Sequence, residues 1–138
     1  MFWMDKKIFT ILFVSLFSRV FYTLFTHPLW WDGAVYLSMG KYLFSLGSIG
    51  FWEPIRPLAW VTMLGFGWFV GLDPIIWGYF LTTIFSLGII YLTYLIGKEL
   101  FNEQVGLYSS ILISFTWIFF FFNVRLYTEI PSVFFGLV

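Results

Sequence analysis

The chain has 138 residues, of which 61% are hydrophobic, 26% aromatic and only 10% charged. Seven acids and seven bases are too few to cover a water-soluble fold, in which about a quarter of residues are ordinarily charged; the composition is that of a membrane protein. Zero net charge leaves no basic footprint for nucleic acid, and the lack of cysteine together with a single histidine, His27, excludes disulfides, thiolate metal sites and a zinc centre built on several histidines.

Lys6 and Lys7 precede an apolar run over residues 8–31. As a helix this run is roughly 36 Å long, enough to cross a hydrocarbon core of about 30 Å. The two lysines favour a cytoplasmic amino terminus, which brings Asp32 out on the opposite face. The run is too long for a signal-peptide core, and no small-x-small cleavage site follows it. Arg19 interrupts it at a cost of about 2.5–3.5 kcal/mol on insertion scales. It either snorkels or pairs within the bundle, or it faces a ligand.

Residues 33–46 have two faces. Val35, Met39, Tyr42, Leu43 and Leu46 recur at helical spacing on one, and Ser38, Lys41 and Ser45 share another. The segment is too short to span and predicts a helix lying along the membrane surface, closed by the turn at Gly47 to Gly50. FWEPIRPLAW, with its two prolines and the charges Glu53 and Arg56, is an interfacial connection. Residues 57–72 reach only about 24 Å at helical rise and hold Gly65, Gly67 and Gly71, which predicts a re-entrant helix on the outer side. Residues 74–96 and 107–124 are long enough to span, and GKELFNEQ (97–104) becomes the cytoplasmic turn between them. With the short stretch not crossing, Glu129 joins Asp32 outside. A further helix beginning near Pro131 stops after eight residues. The expected fold is therefore an all-α polytopic membrane protein with three spanning helices, surface and re-entrant helices, and a truncated fourth span.

Asp32, Glu53, Arg56, Arg125 and Glu129 fall by this topology on one face of the membrane. Arg125 and Glu129 are four apart and share a face if helical. Carboxylates beside arginines at an interface suit a phosphate-bearing lipid substrate. A guanidinium fork grips phosphate oxygens, and a carboxylate can take a proton from an attacking hydroxyl. Each residue also has a plain structural reading. Asp32 is a good cap for the surface helix, Glu129 favours the positive end of the helix after it, and Arg56 can anchor lipid head groups.

The ordered features resemble the amino-terminal part of the membrane-embedded type-C glycosyltransferases, which include the dolichyl-phosphate-mannose protein mannosyltransferases and the lipid A aminoarabinose transferases. The resemblance rests on Asp32 and Tyr36 after a first span, on Arg56-Pro57, on VGLDP, on KELFNEQVGLYSSILIS, and on Arg125, Glu129 and Pro131. It covers nearly the whole chain, 1–138, as the amino-terminal portion of an incomplete transferase core. It implies catalytic roles for Asp32 and Glu129, and substrate contacts from Arg56, Tyr36 and Arg125. Asp32 would orient or deprotonate the acceptor, and Arg56 would contact the lipid phosphate. Many members have Asp-Glu where Asp32-Gly33 stands here, so a second loop carboxylate is missing.

The implied reaction moves a sugar from a polyprenyl-phosphate donor to a protein, lipid or glycan acceptor outside the cytoplasm, without a cofactor or an assigned metal. The competing reading is a non-enzymatic membrane subunit or polyprenyl-lipid-binding module. With three full spans, the 138 residues alone are expected to be inactive.

Overall fold

The computed structural model describes residues 6–25 and 29–138 and is helical throughout them, with no strand among the described residues. Seven helices follow one another: α1 (Lys6–Phe25), α2 (Trp31–Phe44), α3 (Leu58–Phe69), α4 (Pro74–Leu100), α5 (Glu103–Phe115), α6 (Trp117–Asn123) and α7 (Glu129–Leu137).

α1 and α4 are long and apolar enough to cross a membrane, and the bent pair α5–α6 makes a third candidate if it is taken as one span. The 20 residues of α1 rise roughly 30 Å and the 27 of α4 roughly 40 Å. They run antiparallel. Arg19 of α1 meets Ser86 of α4, while Leu24 lies by Ile76 in a groove between the two helices. α5 returns beside α4 through a two-residue turn in which the Asn102 side chain accepts from the Val105 amide at 3.0 Å, a regular helix start. Gly97 and Gly106 let these two helices touch: a Cβ on Gly97 would stand 2.8 Å from the Gly106 Cα. Small residues at such crossings are how helices approach closely in bilayers.

Three expectations change. The run over 8–31 is not one helix: α1 ends at Phe25, and Trp30 is extended (ψ 162°) ahead of α2. His27 lies outside the described residues. The stretch 107–124 is not straight either, because it breaks at Thr116 (ψ 125°) with a bend of 54°. The reason is local. Ser110, Ser114 and Thr116 turn their hydroxyls back onto carbonyls three or four residues earlier, a pattern that competes with the backbone ladder and bends helices. The third correction concerns α2. Its inner face is Val35, Tyr36, Leu37, Met39 and Gly40, whereas Leu43 and Leu46 are exposed, Leu46 almost completely. α2 packs its Val35 and Met39 side along α3, while Leu43 and Leu46 of the expected face stay outside that contact. Gly40 and Gly65 set that contact, since a Cβ on Gly65 would stand 2.6 Å from the Gly40 carbonyl oxygen.

The core formed by α2 and α3 also takes in Leu126, which is fully buried with Met39, Val61 and Leu64. Gly78 of α4 leaves the space for it, because a Cβ there would meet both Leu126 methyls at 2.8 Å. Leu126 adopts φ +56°, a left-handed conformation that costs a branched residue about 1–2 kcal/mol. Burial and a hydrogen bond from the Trp60 indole to the Leu126 carbonyl (2.7 Å) hold it there. Around this turn the chain reverses from α6 into α7. α7 then packs on α4 through Phe85, Phe134 and Phe135, with ring centroids 5.0–5.5 Å apart. On the other side of α1, Phe9, Phe13, Phe17, Phe21 and Phe25 form an exposed ridge at four-residue spacing, suited to lipid contact.

Candidate functional site

The polar cluster is assembled at one end of the bundle, where α1 finishes and α4 begins. Asp32 lies in the first turn of α2, so it does not cap the helix. The cap position is Trp30, which offers no side-chain bond. The Asp32 carboxylate instead receives the Arg56 guanidinium at 2.7 Å, and Arg56 also donates through Nε to Glu53 at 2.8 Å. The Tyr36 ring, one helical turn beyond Asp32, stacks under the guanidinium at 5.4 Å. Arg56 is thus pushed well above its ordinary range, chiefly by Glu53, with Tyr36 and Asp32 adding to it and burial opposing. It is a permanent cation shared by two carboxylates.

The second half of the cluster comes from the turn after α6. The Tyr127 pKa is pushed up from the ordinary value, first by burial, then by nearby Asp32 and more weakly by Glu129, with Arg125 opposing. Glu129 opens α7 and is exposed. Asp32 and Glu129, nearly a hundred residues apart in the chain, therefore both act on the charge balance of the same tyrosine. Tyr127 was not singled out from the sequence; its place beside two acids depends on the left-handed Leu126 before it, which carries no sequence signature.

Arg125 stands apart from this cluster. It lies before Leu126 in the turn between α6 and α7, so it does not share a helical face with Glu129. Its guanidinium is enclosed by the rings of Phe121 (3.5 Å) and Trp30 (4.4 Å) and donates to the Phe121 carbonyl at 2.6 Å. It is 9% exposed, and its Nε has no partner. This is a cation–π anchor for the turn. Its own carbonyl touches α2, since a Cβ on Gly33 would stand 2.5 Å from that oxygen. A glutamate at position 33 could not enter without moving one of the two segments, which gives the Asp32-Gly33 pair a steric reason.

Arg19 is fully buried in the middle of α1. It donates to the Ser86 hydroxyl at 2.7 Å and lies 5.0 Å from the Phe120 ring, with one terminal nitrogen unpartnered. No carboxylate pairs with it among the described residues. No group of three or more histidine, cysteine, aspartate or glutamate side chains among them is arranged to hold a metal ion.

Beside the cluster, a cleft of about 400 Å³ opens between α3 and α7. Pro57, next to Arg56, and Thr128, next to Glu129, stand at its edge, and Trp60, Met63, Pro131 and Phe135 line it. A charged rim over an apolar slot is an amphiphile's shape. Counting Asp32, Glu53 and Glu129 against Arg56, the rim carries two net negative charges, so it favours hydroxyl and amine donors and presents one guanidinium to an anion. No family model matches the chain, and neither a curated protein nor a solved structure is similar to it.

Proposed function

We propose that the chain belongs to a polyprenyl-phosphate-dependent sugar transferase working at the outer rim of a membrane, with the Asp32–Arg56–Tyr127–Glu129 cluster as its reacting end. The observation that carries this reading is the Arg56 guanidinium held between Asp32 and Glu53 at the edge of an apolar cleft, whose rim also holds Thr128 next to Glu129. Lys7 and Glu103 pair at 3.1 Å at the opposite end of the bundle. With Lys6 and Lys7 held in the cytoplasm by the positive-inside bias, α1, α4 and α5–α6 make a multi-pass arrangement and the acidic rim faces outward.

In this reading the donor's isoprenoid tail remains in the bilayer and enters the α3–α7 cleft, so its phosphate lies at the level of Arg56. Asp32 takes the proton from the acceptor hydroxyl or amine. The acceptor atom bonds to the sugar's anomeric carbon as the bond from that carbon to the phosphate oxygen breaks, and the lipid phosphate departs with the electron pair. Arg56 turns from one of its two carboxylates to the developing anion, the kind of fixed charge that lowers such barriers most. A general base contributes typically 100- to 10,000-fold. Tyr36 holds the guanidinium from below, and Glu129 is placed to orient the acceptor.

Membranes carrying the chain within its complete reading frame, supplied with a radiolabelled polyprenyl-phosphate sugar, test this. Asp32→Asn is expected to abolish transfer while donor retention persists. Arg56→Lys is expected to weaken donor retention roughly 10- to 100-fold, since a hydrogen bond to a charged group is worth about 1.5–3 kcal/mol. Unimpaired transfer by Asp32→Asn overturns the proposal.

A non-catalytic lipid-binding module is favoured by one observation: Arg56 is already engaged by Asp32 and Glu53, as a static clamp between α2 and the 53–57 turn would be. That reading predicts donor retention without turnover in the unmodified protein.

A further inference from the structure

Two adjoining cavities lie on the far side of α2 from the Arg56 cluster and share Leu29, Asp73 and Ile75. The larger, about 710 Å³, is an apolar groove between α1 and α4 lined by Leu16, Val20, Leu24, Ile76, Tyr79 and Phe80. Leu24, Ile76 and Phe80 are more than half exposed along it, so it opens sideways, toward the acyl chains of a surrounding bilayer. From Asp73 to Thr83, which also line it, the helix rises roughly 15 Å, the hydrocarbon depth of a single leaflet.

The smaller cavity, about 320 Å³, is the groove's polar head and contains Ser38, Lys41 and Asp73. Lys41 has no ion pair among the described residues. Asp73 caps α4, its Oδ1 accepting from the Ile75 and Ile76 amides at 2.9 Å each, which leaves Oδ2 uncommitted. One ammonium and one carboxylate thus face the same small pocket without pairing with each other, at the mouth of a slot one leaflet deep.

We propose that this is a binding site for a phospholipid with a zwitterionic ethanolamine head. One acyl chain occupies the α1–α4 groove, the phosphate meets Lys41 and the head-group ammonium donates to Asp73. The charge pattern selects the head. A glycerol head offers Lys41 its phosphate but gives Asp73 no cation. A choline head carries its charge on a nitrogen without a proton to donate. A serine head brings a carboxylate against Asp73. The site uses none of the residues of the Arg56 cluster and stands whether or not that cluster transfers sugar.

The test is native mass spectrometry of the full chain released from nanodiscs containing equal parts phosphatidylethanolamine, phosphatidylcholine and phosphatidylglycerol. One phosphatidylethanolamine is expected to be retained per chain, at least tenfold over the other two. Lys41→Gln and Asp73→Asn should each erase that preference, and Lys41→Arg should keep it; asparagine still caps a helix, so the Asp73 variant keeps its α4 start. Ile76→Trp fills the groove and should lower retention of all three lipids together. Equal retention of the three heads by the unmodified protein overturns the proposal, as does a preference for phosphatidylglycerol or one that survives both head-pocket variants.

Discussion

Gly33→Ala is the sharpest perturbation of the rim. The added Cβ would stand 2.5 Å from the Arg125 carbonyl oxygen and 3.0 Å from Leu29 Cδ1. The first figure is about 0.9 Å short of the 3.4 Å at which ordinary contact begins. The obstacle is backbone, so the start of α2 must move from the 124–127 turn, and Asp32 moves with it. Forced overpacking costs about 1–3 kcal/mol, while alanine in place of a helical glycine returns at most about 1 kcal/mol. The net loss is roughly 0–2 kcal/mol. Gly136→Ala supplies the control, because nothing lies within 4 Å of a Cβ there and only the propensity gain remains. The assay is thermal unfolding of both variants in the same detergent, with the Tyr127 ultraviolet titration as a second readout. Gly33→Ala should lower the midpoint relative to Gly136→Ala and return Tyr127 toward the ordinary tyrosine range as Asp32 draws away from it. If Gly33→Ala stabilises as much as the control and leaves Tyr127 untouched, α2 does not rest on the Arg125 carbonyl.

Stability should fall on the alkaline side. Tyr127 in the folded state is raised above its ordinary 10.0, so its contribution is complete below pH 10 and disappears as pH rises past the native value; a Tyr127→Phe variant should lose its share of this alkaline limb in a detergent pH–stability series, and an unchanged limb refutes the assignment. Arg19→Leu removes a buried guanidinium that has no carboxylate partner among the described residues, and an unpaired buried charge is itself costly to fold. Its unfolding midpoint should therefore hold or rise, and a collapse of folding would mean that an anion meets Arg19 in the assembled protein.

The composition by itself marked the chain as apolar enough for a membrane, because a chain that is 61% hydrophobic with 10% charge is hard to cover with a polar surface. The apolar run over 74–96 marked α4, which the structure starts at Pro74 with the Asp73 side chain as its cap. Asp32, Glu53, Arg56 and Glu129 were legible as charges at the ends of apolar runs. What the sequence could not supply was how they pair. Arg125 and Glu129 are spaced as a helical pair, yet the left-handed Leu126 between them sends one into an aromatic cage and the other to the rim. That conformation is unfavourable locally and is held only by distant residues, Trp60, Gly78 and Leu64. Likewise the inner face of α2 was misjudged from periodicity, because a close glycine contact with α3, which no hydropathy pattern records, decides its rotation. Hydrophobicity is summed along the chain and can be read there; side-chain partnership depends on backbone approaches between segments far apart, and only the tertiary structure fixes those.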